Sequence, residues 1–499
     1  MMPALSDDLV GDTAPPTPGV SPGRTEIRRI ALVVLAPLLA SLALLIVASD
    51  RMDAPFSPAF PDFNTAVWAT GAQAVRADGW WDSRLGAASG PTGSEIPYAH
   101  HPPLVRVEVA IAEMALGEHR WVDRLPALVS SLAAIWLCWG WLGACGFSPG
   151  PRSLGVIAAG GTGLMLSYGV MLNMEVIWMP LAFALLWAWQ RAERHGGGFW
   201  SCLLLGLVGC TAAHQGMLLA AGLALLGIVS ARRRHRQLEP HEQAMIASTI
   251  AGVAVFLVWA VWASGGISDL IRIALERGGT QFTWVEFVRA QFSSAVSLFG
   301  VIGIVCLLAG VALVRRRPAL VGQMVVVCGV TLVYALVFRQ GATIHDYWNA
   351  AALPAIALGG ALLGERLAPT SHTLLPAACV GAAALMLVSA ISITRIQQNG
   401  DAAGFLAREA GERQVPVLYS TEIVSEWVTY ESGTTVELVY PCRAVRRLAA
   451  RDPEALILTS TESVETLGTG VWDALSMDPS STVIDNYALT HASVIAAVC

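Results

Sequence analysis

Reactive side chains crowd into one stretch, residues 50–123, which holds Asp62, Trp81, Arg84, Tyr98, His100 and His101 among many other Trp, Tyr, His, Asp and Arg residues. A carboxylate there can take a proton from a hydroxyl within hydrogen-bond reach. Asp62 is the first candidate and Asp53 the second, although Asp62 is also placed to cap a helix beginning near Asn64. Glu175 enters an apolar run, where an ionisable group is costly and a functional role is the default expectation; the alternative is that it favours the positive end of its own helix. His214, Arg339, His345 and Tyr347 lie further on, at the edges of apolar runs. The chain contains no lysine, so all 31 basic residues are arginine, and an anion must be met by Arg, His, backbone or metal. His100, His101, His214 and His345 raise the question of zinc, but their spacing fits no metal pattern, and the clustered carboxylates that calcium or magnesium prefers are missing. No cofactor is expected.

The elements that position these residues follow from composition. With 55% hydrophobic and 14% charged residues the chain is too apolar for water, and runs at 30–49, 245–264 and 374–393 have the length of membrane-crossing helices. The formal charge of −6 averages over tails, loops and spans and points to no nucleic-acid partner. Arginine position says more. The clusters at 191–195, 232–236 and 315–317, with Arg152 and Arg366, belong on the cytoplasmic side, so even numbers of crossings separate them. The apolar run 199–230 is flanked by arginine at both ends and must therefore be a hairpin of two short spans, turning at 211–216. The same logic gives spans near 29–49, 124–144, 154–171, 176–190, 199–212, 216–230, 244–264, 293–314, 319–338, 350–364 and 374–394, about eleven in all.

The predicted fold class is an all-α polytopic membrane protein with a long first extracytoplasmic loop, about 50–123, and a small C-terminal α/β unit. Residues 1–25 read as a disordered cytoplasmic tail, 26–395 as the transmembrane domain and 396–499 as an extracytoplasmic accessory domain. Residues 64–76 and 104–116 read as interfacial helices, with Trp80, Trp81 and Trp121 at headgroup depth. In the C-terminal unit, helices are expected over 402–413 and 444–451, strands over 415–419 and 455–458, and a last apolar stretch after Ser481. Cys442 and Cys499 can form a disulfide if that unit meets an oxidising compartment, or remain two thiols.

Four short motifs then line up in order: Pro61-Asp62-Phe63-Asn64, Asp78-Gly79-Trp80-Trp81, Tyr98-Ala99-His100-His101-Pro102-Pro103-Leu104 and Arg124-Leu125-Pro126. With Asn173-Met174-Glu175, the tip His214-Gln215-Gly216 and His345-Asp346-Tyr347-Trp348 before Pro354, they resemble the GT-C membrane glycosyltransferases. The nearest branch is the bacterial group that includes lipid A aminoarabinose transferase and the protein O-mannosyltransferases. The resemblance covers roughly residues 30–395.

It implies an inverting transferase in a bacterial plasma membrane, moving a sugar from a polyprenyl-phosphate donor to a hydroxyl on a glycan, glycolipid or protein at the outer face. Asp62 would be the general base and Glu175 would orient acceptor or donor. His101 stands where several family members carry lysine, and His214 where relatives often have Thr-Lys. These two, with His345, Tyr347, Arg84 and Arg339, would meet the donor phosphate, while Tyr98, His100 and Trp81 would contact substrate. A phosphate leaving group needs donors aimed at its oxygens more than it needs an acid. The rival reading is a transporter or flippase of lipid-linked sugars, which should carry its polar residues in the middle of discontinuous helices rather than in outer loops.

Overall fold

Residues 23–57, 60–88, 99, 101–279, 282–369, 373–398, 401–421, 426–467 and 470–499 are described by a computed structural model. Of the tail expected over 1–25, residues 1–22 lie outside the described residues, and 23–25 already belong to the first helix. Helices α1 (Gly23–Arg51) and α4 (Arg120–Ala144), the first two long apolar helices, flank the first long loop, which contains α2 (Phe60–Asp82) and α3 (Leu104–Leu116). Next come α5 (Pro149–Gly160), α6 (Gly163–Tyr168), α7 (Met174–His195), α8 (Phe199–Ala212), α9 (His214–Arg233) and α10 (Pro240–Ser264). After them lie α11 (Ile267–Gly278), α12 (Trp284–Ser294), α13 (Gly300–Leu313), α14 (Pro318–Val337), α15 (Arg339–Ile344), α16 (Leu353–Leu367) and α17 (Leu374–Gln398).

Eight helical segments among the described residues are long and apolar enough to cross a bilayer. The hairpin expected over 199–230 is present: the chain breaks at Ala213 (φ −157°, ψ 157°), and α8 and α9 pack side by side. The two returning helices touch closely because Gly216 carries no side chain; a Cβ there would overlap the Gly209 carbonyl oxygen. Two expectations are corrected. The span over 154–171 is two helices, because the chain turns at Gly161 and Thr162 restarts the helix by capping Met165 N–H. The span at 293–314 is longer on its N-terminal side, since α12 runs into α13 through a π turn at Ala295–Phe299.

The central helix is α16, buried along nearly all its length. It contacts α5 and α13 through glycine: a Cβ on Gly359 would overlap the Cys306 carbonyl oxygen, and one on Gly360 would sit 2.9 Å from the Gly155 Cα. Without a hydrophobic drive between helices in lipid, such backbone proximity is what gives association its van der Waals contact.

The C-terminal unit is α/β as expected. It contains α18 (Asp401–Glu412), β1 (Val417–Ser420), α19 (Glu426–Ser432), β2 (Thr435–Leu438), α20 (Cys442–Arg451), β3 (Leu456–Ser460), α21 (Thr461–Leu467), α22 (Val471–Met477), β4 (Thr482–Ile484), β5 (Tyr487–His491) and α23 (Ala492–Val498). The sheet order is β2-β1-β3-β5-β4, with β1 parallel to β2 and β3, and β5 antiparallel to β3 and β4. The apolar stretch after Ser481 thus becomes a hairpin and a closing helix, and Cys442 is disulfide-bonded to Cys499. One side of this unit joins the first long loop: Phe56 and Ala66 share a buried cluster with Ala403, Leu406 and Leu418.

Candidate functional site

Asp62 lies in the first turn of α2, which begins at Phe60 rather than at Asn64, so its side chain is free of capping. It is buried at 4% exposure. Arg51, the last residue of α1, reaches Oδ2 at 2.5 Å, Ser57 Oγ donates to the same oxygen at 2.8 Å, and Arg124 from the first turn of α4 reaches Oδ1 at 2.8 Å. Arg51 and Arg124 are themselves buried at 3% and 1%. Two guanidinium groups thus fix one carboxylate, and each would be costly to leave unpaired. Each carboxylate oxygen has two acceptor sites; Oδ2 uses both, whereas Oδ1 uses one.

From the same helix a second group of residues begins. Asn64 Oδ1 accepts from Tyr347 Oη at 3.3 Å, and Trp68, one turn further on, packs against His101 with ring centroids 5.8 Å apart. His101 is 5.7 Å from His214, His214 is 6.2 Å from Phe338, and Phe338 is 6.3 Å from Trp348. Trp348 lies 5.2 Å from His345, whose Nδ1 is 3.2 Å from Tyr347 Oη, which closes the circuit. Four expected residues, His101, His214, His345 and Tyr347, therefore meet in one ring although they come from positions far apart in the chain. Tyr168 braces it, donating to Asp346 Oδ1 at 2.8 Å and packing on Tyr347. Asp62 points to the arginines instead, and among the described residues no hydrogen bond links it to the ring. Carboxylate and imidazoles are two subsites bordered by one helix, α2 supplying Asp62 to the first and Asn64 and Trp68 to the second.

Glu175 is buried at 1% beside this ring. Gln215, adjacent to His214, donates to its Oε1 at 3.1 Å, while Oε2 has no hydrogen-bond partner among the described residues. Asn173 caps α7 through Met174 N–H and also accepts from Trp68 Nε1, tying the Glu175 turn to α2.

The remaining expectations are placed elsewhere. Gly79, at φ 80°, turns the chain out of α2, and Trp81 beyond it is 78% exposed and packs edge-on against Trp262. Arg84 donates to the Ala263 carbonyl at 2.9 Å, and Arg339 lies over the Trp284 ring at 4.5 Å. None of the three reaches the ring: Trp81 and Arg84 are drawn to the end of α10, and Arg339 to α12. Tyr98 and His100 lie outside the described residues. Among the described residues no three His, Cys, Asp or Glu side chains form a metal site.

The C-terminal unit grips the same region. Arg51 donates to Asp401 at 2.7 Å as well as to Asp62. Glu431, with a fully buried side chain, accepts from Arg120 Nε at 2.8 Å, Arg120 Nη2 at 2.6 Å and Phe56 N–H at 2.7 Å. Tyr430 donates to Asp123 at 2.6 Å, and burial together with the Asp123 charge pushes its phenol well above the ordinary range. Burial also raises Glu108 to about 7 on the interfacial helix α3. Burial and the neighbouring Asp123 likewise push Glu113 up, Arg76 opposing weakly.

Arg51 and the clamp role of Arg124 escaped the sequence reading. A signal existed: an arginine at the outer end of the first span defies the positive-inside bias and needs a local partner.

This architecture, a bundle of apolar helices with a long first loop and a C-terminal unit set over it, is shared in fold with solved structures of low sequence identity. ArnT from Cupriavidus metallidurans, bound to undecaprenyl phosphate, superposes with a TM-score of 0.58 at 13% identity, over 91% of this chain and 97% of that one. Its apo state gives 0.56 at 12% identity, over 92% and 98%. The archaeal oligosaccharyltransferase AglB from Archaeoglobus fulgidus, in complex with an inhibitory peptide and a dolichol-phosphate, gives 0.51 at 10% identity, over 88% and 70%. No family model matches the sequence, and no curated protein does.

Proposed function

We propose that this protein is a glycosyltransferase that moves a sugar from a polyprenyl-phosphate donor to a hydroxyl acceptor, with inversion, at the outer face of a bacterial plasma membrane. The observation that carries the reading is the pairing on α2 of a buried, arginine-held carboxylate with a ring of imidazoles and phenols. In the reaction the acceptor hydroxyl gives its proton to the open site on Asp62 Oδ1 as its oxygen bonds to the anomeric carbon. The bond from that carbon to the phosphate oxygen breaks on the opposite face, and polyprenyl phosphate departs. His101, His214, His345 and Tyr347 supply donors to its oxygens as charge builds. Glu175 and Gln215 orient a hydroxyl beside them. The likeness to ArnT holding undecaprenyl phosphate agrees with a lipid-phosphate donor.

Counting α5 with α6, α7 and α8 beside the eight long apolar segments gives eleven crossings, a cytoplasmic N-terminus and an outer C-terminal unit. The disulfide in that unit agrees with an oxidising compartment. Polar residues gathered at one end of the bundle favour transfer over transport.

The test is transfer from radiolabelled polyprenyl-phosphate sugars in proteoliposomes, comparing wild type with Asp62→Asn. Loss of transfer by at least ~100-fold with donor still bound supports Asp62 as base. Labelled lipid that changes leaflet without being consumed, in both proteins, would replace the transferase by a flippase.

A further inference from the structure

At the end of the bundle opposite Asp62, arginines from separate elements converge on a cavity of about 450 Å³. Arg194 comes from the last turn of α7, Arg234 and Arg236 from the connection after α9, and Arg316 and Arg317 from the turn before α14. Two of the five are already committed. Arg236 holds Glu242 with two contacts of 2.7 Å and lies 3.7 Å from Glu239, and Arg317 pairs with Glu365. Arg194, Arg234 and Arg316 have no ion pair within 4.0 Å among the described residues, and Glu193 is the one further carboxylate on the lining. The floor is closed: Gln323 donates to Gln190 at 2.6 Å and accepts from Trp141 Nε1 at 3.2 Å, so its polar groups are spent within the protein. Five arginines against three carboxylates, Glu193, Glu239 and Glu242, leave the lining with an excess of positive charge.

The cavity opens sideways into a groove of about 730 Å³ between α9 and α14. Leu226, Ser230, Arg234, Pro318 and Gly322 line both spaces. Away from Arg233 and Arg234 the groove is aliphatic up to Leu218 and Val333. It is open at Gly329, where a Cβ would meet nothing within 4 Å, so a larger side chain there would project into free space. A positive, polar chamber leading into an aliphatic slot has the polarity of an amphiphile with an anionic head.

We propose that this chamber and groove hold one anionic phospholipid, its phosphate among Arg194, Arg234 and Arg316 and an acyl chain between α9 and α14. By the positive-inside rule the lipid comes from the cytoplasmic leaflet. A zwitterionic headgroup fits poorly, since its ammonium would face guanidinium groups. The site lies at the far end of the bundle from Asp62 and does not depend on the transferase reading.

Phosphatidylglycerol, phosphatidylcholine and inorganic phosphate are the probes, titrated onto the full-length protein in detergent. Retained lipid is read by native mass spectrometry and stabilisation by thermal midpoint. One phosphatidylglycerol per chain is expected, bound about fivefold more weakly for each of Arg234→Gln and Arg316→Gln. Arg232→Gln, outside the lining, should leave binding unchanged. Gly329→Leu fills the groove without touching the arginines, and it should abolish lipid retention while sparing any response to inorganic phosphate. Equal retention of phosphatidylcholine, or wild-type retention by the Arg234→Gln/Arg316→Gln protein, overturns the proposal. A shift with inorganic phosphate equal to that with lipid would replace the lipid site by a soluble-phosphate site, and undisturbed lipid retention in Gly329→Leu would overturn the placement of the acyl chain between α9 and α14.

Discussion

Glu431→Gln tests whether the C-terminal unit is latched to the outer loop by charge. The substitution keeps the side chain's volume and leaves an oxygen for Phe56 N–H, but it sets a neutral amide against the Arg120 guanidinium. Stripping one partner from a buried ion pair costs about 3–5 kcal/mol. Arg120 is 21% exposed, so water recovers part of that loss and about 3 kcal/mol is the fitting figure. At ~1.4 kcal/mol per tenfold, the undocked population rises about a hundredfold. Hydrogen exchange in nanodiscs, followed on peptides spanning 52–57, reads it directly, because the Phe56 amide donates to Glu431 across the docking interface. The expected change is about a hundredfold faster exchange, partly reversed when Arg120→Gln is added and no unpaired charge remains. Exchange within about threefold of wild type would refute the latch.

Glu113 Oε1 and Asp123 Oδ1 are both buried without a donor, a geometry that one shared proton satisfies. Glu113 is raised in the folded state, so the folded protein holds a proton that the unfolded chain releases. Stability from this pair is present below about pH 4.5 and is lost as pH rises through the raised value; the thermal midpoint should fall from about pH 5 to about pH 8, and Glu113→Gln should flatten the slope. Gly359→Val would force α16 away from α13, and loss of monodisperse protein in detergent is expected, with Gly381→Val as a tolerated control. Cys442→Ser, which opens a link between residues 57 apart, should lower the stability of the C-terminal unit by about 2–4 kcal/mol, read by proteolysis with and without reductant.

Much of the membrane part was legible because arginine placement is a counting constraint. It split residues 199–230 into α8 and α9 at the right place, since arginine flanks the run at both ends. Arithmetic of that kind is blind to breaks inside a span, so the restart at Thr162 went unseen, as did the amphipathic helices α11 and α12, whose mixed polarity reads as loop. At the site, the resemblance of short motifs pointed to His101, His214, His345 and Tyr347, and the fold gathers them. The surroundings of Asp62 were not legible, because Arg124 reaches it across 62 residues and Asp401 reaches its partner Arg51 across 350, contacts that no local spacing encodes. Arg84 and Arg339 looked suitable by type and side, but nearby backbone and an indole ring claim them.

The double contact of Arg51 bears on how the molecule is made. Its two carboxylates lie 11 and 350 residues away, and Phe56 N–H waits for an acceptor 375 residues downstream. During synthesis the first loop reaches its side of the membrane early, while α18 and α19 arrive only after the last apolar helix has been inserted. Until then Arg51 lacks Asp401, Arg120 lacks Glu431, and the apolar face around Phe56 and Ala66 lacks Ala403, Leu406 and Leu418. A half-made chain is thus both unfinished at its carboxylate and recognisable as unfinished by its exposed surface, so quality control and maturation of the site read the same late event.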